Sequence, residues 1–323
     1  MRQHQGIQRR AILARFALAF HRVLPLPPNY GLRGPYKQHG LKQSQSLVYR
    51  MLDALEKLPS DPIQAREESL FDMFVYAALW ANEFDLSLHL DVSVNVTVGL
   101  SEHINNLHKY MVIDNIRDLY RIWSERLRDA PCDGAKTPHT VALVLDNAGP
   151  ELVADFCLAE YLIESGFTTR VVFYPKVMPW YVSDVTANDI KWILNEGLSS
   201  KFLDDQSLIP LASKWTDRWR SRFDGGQFLL RESPFWTYAY PYEEMAVVDR
   251  NLHKELTTGT DVILFKVPMT FLCMKFGFDF FVHFTSKCLR TWNFPVASII
   301  WRRPLPSCLS FQVNAVNFPF LHQ

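Results

Sequence analysis

The chain has 323 residues, of which 48% are hydrophobic, 14% aromatic and 21% charged, with 34 basic and 34 acidic side chains giving no net charge. Such a composition builds a buried core, excludes a disordered chain, and lacks the basic excess that nucleic-acid binding draws on, so no nucleic-acid partner is expected. The five cysteines (Cys132, Cys157, Cys273, Cys288 and Cys308) have no paired metal or redox spacing, as in an intracellular protein with reduced thiols.

Residues 1–35 form a basic N-terminal segment. No acidic residue precedes Asp53, and Arg2, Arg9, Arg10, Arg15 and Arg22 interleave with Ile12, Leu13, Phe16, Phe20 and Val23. The three- and four-residue spacing predicts a basic amphipathic helix. A surface helix of a cytoplasmic protein is one reading, and a mitochondrial transit segment is the alternative. Residues 36–135 read as a helical region. Leu41, Leu47, Met51, Leu52, Leu55 and Leu58 recur near a 3.6-residue period over 36–58, and Ser60-Asp61-Pro62 is a turn. The run from Glu67 to Asp91 predicts a long buried helix followed by a loop, with Asn82 and Asp85 where the apolar stretch ends. A further helical stretch covers 102–131.

Residues 136–266 alternate strand and helix. Val141–Leu145 has strand length, stops at Asp146-Asn147, turns through Gly149, and enters a helix at Pro150, with Glu151 in the first turn to complement the helix dipole. That helix closes at Gly166, and a second strand spans Thr169–Tyr174. A loop ends at Ser183-Asp184, and another helix follows and stops at Gly197. After a tryptophan-rich insertion, Thr260–Lys266 is a third strand. This alternation predicts an α/β fold: a parallel-sheet, three-layer core with right-handed crossovers, preceded by the helical N-terminal part. Asp146, Asp184 and Lys266 then share the rim formed by the carboxyl ends of the strands, where open α/β sheets bind ligands. With a single glycine in Asp146–Pro150, the turn is neither a nucleotide P-loop nor a dinucleotide fingerprint.

Two carboxylates and an amide oxygen converging on one point suit a hard divalent cation, so Asp146, Asn147 and Asp184 are the candidate metal ligands, with Asp146 and Asp184 the candidate catalytic pair. Asp and Asn also make turns and helix caps, which is the competing reading. The same dipeptide at Asp114-Asn115 sits in a helical pattern with no preceding strand and reads as surface. A divalent ion balanced by two acids leaves an incoming phosphate dianion in need of cations. Lys266, Lys176 and Arg231 are the candidates.

The stretch from Val144 to Leu194 resembles the core of the damage-control phosphatase family, in its sugar-phosphate phosphatase branch, whose members have also been called acidic-residue methyltransferases. LWANEFDLS at 79–87, SPFWTYAYPYEEM at 233–245 and TDVILFK at 260–266 are similar to further family segments. The resemblance covers about 36–266. It implies a divalent-metal hydrolase (Mn²⁺, Ni²⁺ or Co²⁺) acting on small sugar phosphates such as fructose 1-phosphate. Asp146, Asn147 and Asp184 would be the metal ligands, and Asn82, Asp85 and Lys266 would lie on the substrate side. Two alternatives stand beside it: a catalytically impaired isoform or gene-model fragment that keeps the metal site, suggested by the departure from the family after Lys266, and a carboxyl methyltransferase, which rests on the family's second name.

Residues 267–323 depart from that pattern. The family continues Lys-Gly-Asp-Leu-Asn-Tyr-Arg-Lys after the third strand, whereas this chain reads FKVPMTFLCMKF. From Val267 onward there is one acid, Asp279, alongside ten of the 23 phenylalanines and three of the five cysteines. The apolar run FLCMKFGFDFFVHF is broken by Lys275 and Asp279 and is shorter than the roughly 18–20 residues of a membrane span, so no stable membrane insertion is expected. The segment is read as an atypical hydrophobic tail foreign to the domain, such as a retained intron or misjoined exon would produce.

Overall fold

The computed structural model describes residues 35–87, 116–128, 139–179, 183–237, 244–268, 296–302 and 310–313. The basic segment 1–34, Asp114-Asn115 and most of the 267–323 tail lie outside the described residues. So do the side chains of Asn82 and Asp85, although their backbone is helical.

The first helices are α1 (Pro35–Gln43) and α2 (Gln45–Glu56). The single helix expected over 36–58 is therefore two, broken at Ser44, whose hydroxyl donates back to the Gly40 carbonyl at 2.9 Å in competition with the regular ladder. The turn at 60–62 leads into α3 (Pro62–Ala65), where the Asp61 carboxylate accepts from the Ile63 amide at 2.9 Å. The long helix α4 (Glu68–Ser87) and the amphipathic α5 (Ile116–Arg128) are the further described helices of this region; 88–115 and 129–135, and with them the start and end of the stretch expected over 102–131, lie outside the described residues. Among the described residues no helix is long and apolar enough to cross a membrane.

Strand β1 (Thr140–Val144) is buried at every position. It lies between β2 (Arg170–Tyr174) and β4 (Val262–Pro268) and is parallel to both; β3 (Phe228–Leu230) pairs in parallel with β2. Side chains of alternating parity along these strands enter two separate cores. Val141, Leu143, Leu145, Val171, Phe173, Phe228 and Leu264 face the larger one, made with the helical region, α6 (Pro150–Glu164) and α8 (Leu208–Asp224). Ala142, Val144, Val172, Tyr174, Ile263 and Phe265 face a smaller one closed by Trp236, Met245 of α9 (Met245–Val248) and Leu252 and Leu256 of α10 (Arg250–Thr258). The expected three-layer α/β architecture is therefore present, and coverage on both faces explains why these strands read as continuous apolar runs.

Helix α6 is buried from Pro150 to Leu162 because it is packed between the sheet and helices α2 and α4. An all-round apolar helix is what that position requires. The tryptophan-rich insertion, read without elements, holds α8, β3, α9 and α10. Helix α8 places Trp215 and Trp219 one turn apart, and β3 is three residues long, too short to show a period.

The strand ending at Lys266 continues to Pro268, so the boundary drawn at 266/267 falls inside β4. Two stretches of the tail also join the sheet. β5 (Val296–Arg302) pairs antiparallel with β4, from Val262↔Arg302 to Pro268↔Val296, and β6 (Ser310–Val313) pairs antiparallel with β5. Composition set the tail apart, but ladder pairing depends on backbone groups, and Val-Ala-Ser-Ile-Ile-Trp has the β-branched, apolar character of a strand.

Phe156 anchors α6 on the sheet, fully buried with ring centroids 4.9 Å from Trp219 and 5.2 Å from Phe173. Phe156→Ala is expected to cost about 3–5 kcal/mol, read from denaturant unfolding. A loss under about 1 kcal/mol would be incompatible with this packing.

Candidate functional site

The site forms where β1 and β2 end. β1 gives way to Asp146-Asn147-Ala148, and Gly149 adopts φ 82°, a left-handed conformation that lets the chain turn directly into α6. The segment after β2 returns across this turn. Ala148 N–H donates to the Ser183 carbonyl at 2.8 Å, Val185 N–H to Asp146 at 2.9 Å, and Lys176 N–H to Val185 at 3.0 Å. Asn147 and Asp184 thereby face each other across an antiparallel bridge. The two expected acids are brought together by backbone pairing.

Their side chains share a cation. The Lys176 ammonium lies 3.0 Å from Asp146 Oδ1 and 2.6 Å from Asp184 Oδ1, with all three residues at most 3% exposed. Asn147 Nδ2 donates to Asp146 Oδ2 at 3.1 Å and to Glu151 Oε2 at 3.0 Å. Lys266 bonds Glu151 Oε1 at 2.8 Å and Asp155 Oδ1 at 2.7 Å. From α1, Lys37 reaches the Asp184 carbonyl oxygen and Asp189 Oδ2, each at 2.8 Å. Asp189 also accepts from the Thr186 amide and hydroxyl, fixing the start of α7 (Ala187–Trp192), which runs on into a π-turn over Ile193–Gly197.

Among the described residues this network holds five carboxylates (Asp146, Glu151, Asp155, Asp184 and Asp189) and three ammonium groups (Lys37, Lys176 and Lys266), all buried. It is richer in acid than in base. Burial pushes Asp146 up to about 7; Lys176 opposes the shift, while Glu151 and Asp184 add to it. Asp155 is likewise pushed up to about 7 by burial, against the pull of Lys266, and among the described residues its Oδ2 has no hydrogen-bond partner. Burial lowers Lys176 and Lys266, but their paired acids outweigh it and hold both ammoniums above the ordinary lysine range.

Two carboxylates close enough to grip one ammonium are close enough to grip one metal ion, and the Asn147 amide adds a neutral oxygen donor. Among the described residues no set of three acid, histidine or cysteine side chains forms a metal cage. A divalent ion placed between Asp146 and Asp184 would have two acids and an amide oxygen as donors, a set that suits a hard cation with open positions.

Lys176 and Lys266, expected to meet a phosphate, lie in this network with their ammoniums on carboxylates. Arg231 lies elsewhere: it follows β3 at the far side of β2, and its Nε is 3.8 Å from Glu255 of α10. Lys37, Asp155 and Asp189 were not anticipated, and Glu151 was read only as a dipole partner. The one available signal was Glu151 and Asp155 recurring a turn apart inside an apolar helix, since buried acids require partners.

The fold and site define a three-layer α/β protein with an acidic, lysine-compensated centre at the carboxyl rim of a parallel sheet. Residues 20–266 match the damage-control phosphatase ARMT1-like domain, and the chain belongs to that family. Damage-control phosphatase ARMT1 of Mus musculus is 30% identical over 240 residues, covering 73% of this chain and 51% of that protein. The Danio rerio protein of the same name is 28% identical over 239 residues, covering 72% of this chain and 49% of its own length. The chain thus spans about half the length of these relatives. A solved DUF89 family protein from Pyrococcus horikoshii covers 82% of this chain and 83% of its own, with TM-score 0.35 and 16% identity. The family match ends on Lys266, where the sequence resemblance also ends.

A pH dependence of stability follows from Asp155. Its folded value near 7 lies above the ordinary carboxylate value of 3.8, so between these two the folded state holds more protons than the unfolded state. This group's contribution therefore weakens stability as pH rises toward and through 7, and favours folding as pH falls toward 4. Asp155→Asn is expected to make the decline in melting temperature from pH 5 to pH 8 shallower. An unchanged slope would count against the assignment.

Proposed function

We propose that this chain is a divalent-metal-dependent phosphatase domain for small sugar phosphates of the fructose 1-phosphate kind. Asp146, Asn147 and Asp184 hold the ion, for which Mn²⁺, Ni²⁺ and Co²⁺ are the candidates. The supporting observation is the pair of buried carboxylates from the segments that follow β1 and β2, 3.0 and 2.6 Å from one shared ammonium, in an acid-rich cluster. When bound, the ion supplies charge stabilisation at the phosphoryl oxygens and activation of the attacking water.

The chain's own side chains set up that chemistry. Lys176 bridges Asp146 and Asp184 and lowers the cost of keeping two acids side by side. Lys37 fixes Asp184 through its backbone and Asp189 through its carboxylate. Asn82 and Asp85, on the last turns of α4, are proposed to lie on the substrate side, in keeping with the family segment they match.

A second reading, a catalytically impaired form that retains the cation site, is favoured by one observation. Lys176 and Lys266 already bond carboxylates, and the family's Gly-Asp-Leu-Asn-Tyr-Arg-Lys stretch is replaced from Val267 onward. A phosphate entering an acid-rich site needs cations, and that replaced stretch carries them in the family.

The decisive assay follows phosphate release from fructose 1-phosphate with Mn²⁺, Ni²⁺ or Co²⁺ and after chelation, beside equilibrium Mn²⁺ binding. The 323-residue chain is expected to bind Mn²⁺, to lose binding in the Asp146→Asn/Asp184→Asn variant, and to hydrolyse the sugar phosphate slowly. Replacing the residues after Lys266 with the family stretch is expected to raise turnover. Rapid hydrolysis by the unaltered chain would remove the impaired reading. Absence of Mn²⁺ binding in the unaltered chain would remove the metal reading.

A further inference from the structure

We propose that Glu151, pinned by Lys266, is a positioning residue that fixes which way the Asn147 amide faces, so that its oxygen and not its nitrogen is offered to a divalent cation. The inference rests on the reading of Asp146, Asn147 and Asp184 as cation ligands. It gives Lys266 a role two residues removed from the ion.

An asparagine amide has two ends of similar shape and opposite hydrogen-bonding character, and its neighbours decide the orientation. Here Nδ2 donates to Asp146 Oδ2 at 3.1 Å and to Glu151 Oε2 at 3.0 Å, so both acceptors pull the same end. Turning the amide over would place its oxygen against two carboxylates. Asp146 is itself a cation ligand in this reading, and its electron density is drawn toward the ion. Glu151 is the acceptor of the two that is not a cation ligand in this reading.

Lys266 makes that arrangement directional. It bonds Glu151 Oε1 at 2.8 Å, leaving Oε2 for the amide, and a second bond to Asp155 at 2.7 Å anchors the ammonium. Glu151 and Lys266 are 2% and 5% exposed, so little water is available to replace either contact. Outer partners of this kind tune the affinity of the ligand they hold.

A glutamine at 151 separates this role from simple packing. Glutamate accepts on both oxygens, from Asn147 and from Lys266, whereas glutamine has one oxygen and one NH₂. With Lys266 present the oxygen turns to the ammonium, the NH₂ opposes Asn147, and the amide of Asn147 is driven over. Removing the lysine frees the glutamine oxygen to face Asn147 again.

The test is equilibrium Mn²⁺ binding to the full chain by calorimetry and electron paramagnetic resonance, with melting curves to establish folding. Glu151→Gln is expected to lower Mn²⁺ affinity by about tenfold or more. The Glu151→Gln/Lys266→Met variant is expected to bind Mn²⁺ several-fold tighter than Glu151→Gln alone, a recovery that a packing role does not produce. Asn147→Asp gives position 147 two equivalent oxygens, so in that background Glu151→Gln is expected not to lower affinity; this comparison decides if the Lys266 variant does not fold. Unchanged Mn²⁺ affinity in Glu151→Gln overturns the proposal. So does an equal loss in the Asn147→Asp background, or a folded double variant no better than Glu151→Gln. Lys266→Met that weakens inorganic phosphate binding while Glu151→Gln leaves Mn²⁺ affinity intact assigns Lys266 to the substrate instead. An unaltered chain that binds no Mn²⁺ overturns the underlying cation reading, and the proposal with it.

Discussion

A buried ammonium shared by two buried carboxylates is a costly thing to build. Lys176 sits 3.0 Å from Asp146 and 2.6 Å from Asp184 with scarcely any solvent contact. Stripping water from each charge costs several kcal/mol, and the attraction in a low-dielectric interior repays that only with close geometry and saturated hydrogen bonds. The surrounding backbone supplies the geometry. Hydrogen bonds from Ala148, Val185 and Lys176 hold the turns after β1 and β2 against each other, so the two acids cannot drift apart to relieve their repulsion. Stability alone does not explain such a cluster, since well-packed apolar residues would serve as well or better. Its place at the carboxyl rim of the parallel sheet, and its excess of acid, are what the proposed cation site rests on.

The fold is the means by which distant residues reach that point. Lys37 enters from α1, Asp146 to Asp155 from the first strand–helix unit, Lys176 to Asp189 from the second, and Lys266 from β4. Parallel pairing of β1 with both β2 and β4 puts all three carboxyl ends on one edge of the sheet. Helix α6 then presents Glu151 and Asp155 on the turns nearest that edge, with Phe156 keyed into the aromatic core beside them. Packing and electrostatics are coupled here. A shift of α6 by a fraction of a turn would break the hydrogen bond to Asn147 before it exposed any apolar surface.

The strand–turn–helix at 140–164 was legible because several local signals agree: an apolar run of strand length, a polar stop, a glycine in the turn and a proline at the first helical position. Asp146 and Asp184 followed from strand ends and chain order. Lys37 was beyond reach because its partners, Asp184 and Asp189, are about 150 residues away in sequence, and no local pattern records such a contact. Lys176 and Lys266 were visible as cations near the rim, but which anion each would meet depends on side-chain reach. Strand β3 carried no usable period in three residues, and the 267–323 tail was set apart by a composition that does not govern backbone pairing.

The same bookkeeping bears on catalysis. An acid-rich centre attracts a cation and repels a phosphate, so a phosphatase built on it must supply positive charge from two sources, the ion and additional side chains. On the proposed reading, a divalent ion held by Asp146, Asn147 and Asp184 would answer the carboxylate excess of the cluster. Neither Lys176 nor Lys266 has charge to spare, since each already bonds two carboxylates. Cations for the incoming anion therefore have to arrive from a segment that is adjacent to the rim without belonging to the network. β4 itself ends at Pro268 on the same edge as β1 and β2. That is where this sequence parts from the family pattern. On the proposed reading, cation binding and anion binding would draw on separate parts of the chain, and a change confined to one would spare the other.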